Sequence, residues 1–595
     1  MMAEAQQLNR ELGSDDVVWD LSDLYRSTES PEFIRDLSWC KEEARKIGDE
    51  FRSHVAGLSS NQLHTLVTRL EALDSRIGKL ATYAFLNFTT QIDNEAAGAL
   101  YQKIHELSNS CGKETIFFEL EWNKIKEEKV ATLLVDPQLN DYHHYLRTLR
   151  RYRPHQLEEI EERLLIETKT VGRKSWTTLF EKVIGNLRFG TDERTEEEVL
   201  SDLYHPDRSV RKEAADDLTT GLKSQSHVLT HIYNTLAAEK MISDRLRHHQ
   251  RWVSSMNLDN QIADDTVETL VGAVTGRYDI VSRYYKLKAR LLELDTLYDY
   301  DRYAPLPALP KGSINWQQCC QMVLRSFYEF SEQTGQIAEQ FFSKSWIHAP
   351  IKTGKRGGAF AHPCVPEVHP FVMVNYTGTL RDVSTVAHEL GHGVHQVLAA
   401  RNGYYNSDTP LVLAETASVF AELLVFKSQL ETLSDRNEKQ AFICQKLESV
   451  FATVFRQVAM NRFEHLMHKG RRNHGELSNE QLCSFWMQTQ QQMFQDSVIL
   501  EDHYKVWWSY IPHFLSTPGY VYSYAFGELL VLALYGVYQK EGSSFVGKYL
   551  SLLAAGGSSS PYELLKPFGI DLNTSEFWEQ GLAVIDSMLL DVEEM

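Results

Sequence analysis

The sequence predicts a mainly α-helical protein of more than one part, and three observations carry that expectation. Its 595 residues exceed what a single hydrophobic core serves. Proline is sparse at 16 residues, so long helices can run unbroken. Apolar residues recur at helical spacing along most of the chain, and one short β-branched run stands out as a strand.

The elements follow in order. In LEEIEERLLIETKTV (157–171), Leu157, Ile160, Leu164 and Leu165 recur at helical spacing, while Glu158, Glu159, Glu161 and Glu162 fill the other face, expected to be solvated. FGTDERTEEEVL (189–200) marks a border: Gly190 ends one element and Thr191 or Thr195 caps the next, dividing segment 1–190 from 191–595. Irregular stretches are expected at 305–312 and 354–370. FVMVNY (371–376) is the strand candidate, pointing to a small β-sheet beside the helix that follows. That helix opens with Thr379 as N-cap and Asp382 three residues on, and stops at Asn402-Gly403. LLVLALYGVY (529–538) falls well short of the roughly 20 residues a membrane span needs and reads as a buried helix.

A formal net charge of −20 disfavours nucleic acid and anionic membrane surfaces as partners, since both need a positive field. The N-terminus shows no apolar run behind a basic start, so no secretory signal is expected. Seven cysteines, an odd number without CxxC spacing, read as free thiols in a reducing cytoplasm.

The helix from Thr379 carries VAHELGHGVHQ (386–396). At about 100° per residue His388 and His392 project from neighbouring turns of one face, where two imidazole nitrogens can reach one tetrahedral ion. Glu389, offset by one residue, can contact a metal-bound water without becoming a ligand, the H-E-x-x-H arrangement with glutamate as general base. His392 and His395 form a second bidentate set, but one without an acid at the corresponding place. The longer zinc pattern fails, because His395 stands where Gly is required and Leu398 where a third His is required. The third ligand therefore comes from elsewhere. LVLAETASVFAELLVF (411–426) is an apolar helical run with two acids, Glu415 and Glu422, on one face, where an unpaired carboxylate would be costly. Glu415 is read as the ligand, and Glu422 as an acceptor for the free ring N–H of a ligating histidine.

WWSYIPHFLSTPGYVYSYAFG (507–527) is rich in tyrosine. Taken alone, Tyr520, Tyr522 and Tyr524 read first as packing aromatics with surface hydroxyls; a zinc hydrolase, however, needs donors for an oxyanion, and His513 and Tyr524 are suitable types.

With HELGHGVH and LAETAS together, the sequence resembles the M3 family of zinc metallopeptidases, in its oligoendopeptidase F branch. VWDLSDLY (18–25), YLRTLRRYRPHQLEEIEERLL (145–165), YYKLKARLLELDTLYDYDRYAPL (284–306), GKRGGAF (354–360) and IPHFLSTPGYVYSYAFG (511–527) extend the likeness over nearly the whole chain. The resemblance implies an elongated helical ellipsoid with a deep central channel, covered by an N-terminal helical region (1–190, with about 115–185 most characteristic), and a catalytic domain over 191–595. It implies one Zn²⁺ per chain and cleavage of internal bonds in short peptides. His513 and Tyr524 would stabilise the oxyanion and Tyr520 would stand close by, while FVMVNY would pair with the substrate backbone. A zinc carboxypeptidase and a peptide-binding protein with a stapling zinc are the rival readings; the first would cut only from the C-terminus and the second not at all.

Overall fold

Side chains fix where many of the helices begin. Reciprocal capping boxes join Ser59 to Gln62, Thr195 to Glu198, Asn315 to Gln318, Thr379 to Asp382 and Ser478 to Gln481. Each satisfies backbone N–H groups that the first helical turn leaves unpaired. The computed structural model describes residues 2–308 and 312–595; Leu309, Pro310 and Lys311, within the irregular stretch expected at 305–312, lie outside the described residues.

The chain forms two compact units, each assembled from separated stretches. The first comprises Met1–Glu159, Lys311–Glu431 and Val537–Ile570; the second comprises Ile160–Pro310, Thr432–Gly536 and Asp571–Met595. These units do not coincide with the segments 1–190 and 191–595, because the chain leaves each core and later returns to it.

In the first unit, helices Pro31–Phe51, Ser60–Thr89 and Glu95–Thr115 pack on one another around Leu63, Leu66, Leu80 and Trp122. The helix Leu380–Ala399, here the histidine helix, packs against Glu332–Ser343, Ser543–Ala555 and a three-stranded sheet. In the second unit, Ser226–Leu246 lies against Phe455–His474 around Tyr233, Phe463 and Trp508. Tyr233 donates its hydroxyl to the carbonyls of Trp508 and Ile511, both at 2.8 Å, so its one polar atom is satisfied in the core.

The strands are β1 (Ile347–His348), β2 (Phe360–His362) and β3 (Phe371–Met373), in the order β1-β3-β2. β1 runs parallel to β3, with Ile347 opposite Val372, and β2 runs antiparallel to it, with Ala361 opposite Val372. The expected strand over 371–376 is thus shorter. Val374 and Tyr376 still donate to His348 and Ala349 of the neighbouring segment, but the ladder ends at Met373.

The helix expected within 157–171 forms at Glu159–Lys169, with the opposite orientation to that expected. Ile160, Leu164 and Leu165 are exposed, and Glu162 is the side chain drawn inward, paired to Arg247 at 2.7 Å. Charge pairing sets the face here, where the apolar pattern alone does not. The 529–538 run lies buried in Tyr522–Glu541, and among the described residues no helix is long and apolar enough to cross a membrane. All seven cysteines are free.

Candidate active site

Two helices of the first unit build the centre of the site. The histidine helix presents His388 and His392 from successive turns, with ring centroids 5.0 Å apart and planes at 82°. The second, Leu411–Thr432, here the glutamate helix, presents Glu415. Its Oε2 lies 3.3 Å from His388 Nε2 and 3.4 Å from His392 Nε2. One donor atom from each of the three residues falls within 4.8 Å of the other two. Two imidazoles and one carboxylate, half-buried and converging, are three donors of a tetrahedral set, which leaves the fourth position for water or substrate.

Gly391 makes the approach of the two helices close enough. A Cβ there would stand 2.6 Å from both the Ala417 carbonyl oxygen and the Ser418 Cα. Ser418 in turn donates its hydroxyl to Glu415 Oε2 at 2.7 Å, fixing the carboxylate. Glu422, one face-repeat further on, sets Oε2 3.5 Å from His388 Nδ1, on the far side of that ring from Glu415. Burial opposes a charged His388, yet the Glu415 and Glu422 carboxylates outweigh it and hold the imidazole well above its usual range. Against its own burial, the same pairing holds Glu415 well below the carboxylate range.

Glu389 is buried and is not part of the donor set. Burial raises its pKa, only partly offset by His388, His392 and the Ala361 N–H that donates to it. Ala361 belongs to β2, an edge strand. By contrast β3, the strand expected to receive substrate, is flanked on both sides and has no free edge. Lys355 donates its ammonium to the carbonyls of His348, Pro350 and Val374, pinning the GKRGGAF loop to β1 and the end of β3. Burial, aided by Lys352, lowers its pKa to about 7. His395 lies apart from the donor set: it is buried, 3.4 Å from the Thr409 hydroxyl, and burial lowers its pKa to about 4.

In the second unit the aromatic residues form their own cluster. His513 Nε2 is 3.3 Å from the Tyr524 hydroxyl, and the Tyr520 ring centroid is 5.0 Å from that of Tyr524. Burial, with Arg456 nearby, lowers the His513 pKa. Tyr522 instead points into the core, where Asn260 donates to its hydroxyl at 2.9 Å. The turn between His513 and Tyr520 is held by Glu464, whose Oε1 accepts the Gly519 N–H at 2.7 Å.

The model of peptidase family M3 matches residues 202–584, and that of oligopeptidase F matches 121–189. The chain belongs to peptidase family M3. It is 26% identical to oligopeptidase PepF of Bacillus subtilis, over 100% of this chain and 90% of that one. Group B oligopeptidase PepB of Streptococcus agalactiae is 25% identical, over 97% and 96%. The crystal structure of oligoendopeptidase-F from Enterococcus faecium shares the fold, with a TM-score of 0.73 over 95% of this chain and 98% of that one at 22% identity.

As an M3 chain the protein is a metalloendopeptidase. Of the residues singled out in the sequence, the structure brings His388, His392, Glu415, Glu389 and Glu422 together in the first unit, and His513, Tyr520 and Tyr524 together in the second. Sequence reasoning missed Ser418, Lys355, Ala361 and Glu464. Ser418, three residues after Glu415, carries a readable signal; Ala361 and Glu464 act through contacts between separated stretches of chain, and Lys355 through an irregular loop that has no period to read.

Proposed function

We propose that this M3 metalloendopeptidase is zinc-dependent and cuts internal bonds of short, extended peptides, with His388, His392 and Glu415 holding the ion and Glu389 moving the protons. The convergence of two imidazoles and a carboxylate beside the buried, non-ligating Glu389 carries the reading. When bound, the ion supplies Lewis acidity to the attacking water and to the carbonyl of the bond to be cut. Glu389 takes the proton of that water and later delivers it to the departing amine, a role suited by its raised pKa. Glu422 orients His388 through Nδ1. The peptide adds as a strand to the outer edge of β2, where main-chain hydrogen bonds give affinity with little demand on side chains. His513 and Tyr524, with Tyr520 packing on Tyr524, carry an imidazole and a hydroxyl of the donor types an oxyanion needs. The N-terminal region 1–190 and a catalytic domain over 191–595 remain the proposed division, supported by the spans of the two family models. Seven free thiols favour a cytoplasmic setting.

The test is mass spectrometry of a mixed-length peptide library incubated with the protein, with and without a zinc chelator. Chelator-sensitive internal cuts are expected, and Glu389→Gln should retain one zinc while losing about 10²–10⁴-fold in kcat. Release of single C-terminal residues, or near wild-type turnover by the Gln variant, would sink the assignment.

A further inference from the structure

Lined in part by His392, and wholly within the first unit, lies a cavity of about 600 Å³, room enough for a large side chain and its neighbours. Phe85, Tyr101, Tyr404 and Tyr405 stand in its walls, beside His105, His362, His392 and His395. Tyr405 stacks on Tyr145 at 4.1 Å and donates its hydroxyl to Asp74 at 2.6 Å. Tyr404 occupies space that Gly78 leaves open, since a Cβ there would stand 2.7 Å from the Tyr404 hydroxyl. Phe85 and Tyr101 also line the cavity, their ring centroids 6.1 Å apart. Among the described residues the lining contains no lysine and no arginine, and Asp408 is its one acid. The Asp408 carboxylate has no cationic partner among the described residues. Aromatic faces that can carry an alkyl stem, ending at an unpaired carboxylate, form the complement of a guanidinium or ammonium side chain.

We propose that this cavity is the subsite for a basic side chain of the peptide, and that Asp408 sets the preference for arginine or lysine beside the scissile bond. The proposal rests on the endopeptidase reading above and adds a substrate class to it. The net charge of −20 attracts cationic peptides to the protein as a whole, but it does not select a position within them. Asp408 does.

The experiment uses the full chain and pairs of otherwise identical peptides bearing arginine or citrulline at each position flanking the cut; citrulline keeps the shape and loses the charge. At one position arginine should be favoured about 10-fold in kcat/KM, and Asp408→Asn should bring that ratio to about one. Asp408→Lys should instead favour a glutamate peptide over its glutamine twin. The same pairs are titrated by fluorescence anisotropy onto Glu389→Gln, with and without Asp408→Asn. If no peptide is cut yet arginine binds about 10-fold tighter in an Asp408-dependent manner, the subsite stands and the endopeptidase reading falls. Equal binding and equal turnover of the arginine and citrulline peptides, or a ratio that survives Asp408→Asn, overturns the subsite.

Discussion

The ligand corner of the first unit and the aromatic segment of the second are built in different ways. In the corner, two helices meet at Gly391, and their own periodicity spaces His388, His392 and Glu415. In the segment, His513 stands on a one-turn helix, Tyr520 follows the Pro518-Gly519 turn, and Tyr524 opens a long helix. Nothing periodic relates these three. Their turn is anchored from behind by Glu464, which is fully buried and whose pKa burial raises to about 8. Regular structure positions the first group, and one distant hydrogen bond helps to position the second.

That contrast can be broken or sharpened by substitution. The largest effect is expected from Gly391→Val, which drives a side chain into the Ala417 and Ser418 backbone, separates the helices and costs about 1–3 kcal/mol. Zinc content by elemental analysis should fall well below one per chain, together with the melting temperature; full occupancy at wild-type affinity would show that close approach does not set the donors. A smaller effect follows from Glu422→Gln, which leaves all three donors in place and should weaken zinc binding by about 10–100-fold in a chelator competition. Unchanged affinity would remove Glu422 from the support of His388. The smallest is expected from Glu464→Leu, which deletes the acceptor for the Gly519 N–H: kcat should drop about tenfold through misplacement of the turn, with zinc content and KM unchanged. Glu464→Gln keeps an acceptor oxygen and should restore the rate. If both variants behave alike, or if zinc is lost as well, the turn is not what Glu464 holds.

The same contrast explains what was legible in the sequence. HELGH and the lone acids of an apolar run are local patterns, and a helix converts local spacing into three-dimensional spacing without outside help. Thr195 and Thr379 were readable as caps for the same reason. The strand order is not readable: β1 and β2 have two and three residues, too few for any period to show, so nothing local tells that the run at 371–376 is the central strand between them. The 157–171 helix shows the converse. Its apolar period is real, but its face is set by Arg247, which no local pattern announces. Asp408 and Glu464 likewise gain their meaning only from residues far away in the chain.

A peptide that adds to β2 as proposed would be selected by that edge as well. A guest that joins a sheet must offer its own amide groups, so N-methylation or proline at the register of Ala361 removes what the edge would grip. A peptide that coils into a helix in solution has those groups engaged already and must unwind before it can dock. In a mixture of equal lengths, helical and prolyl peptides should therefore outlive extended ones, whatever their composition.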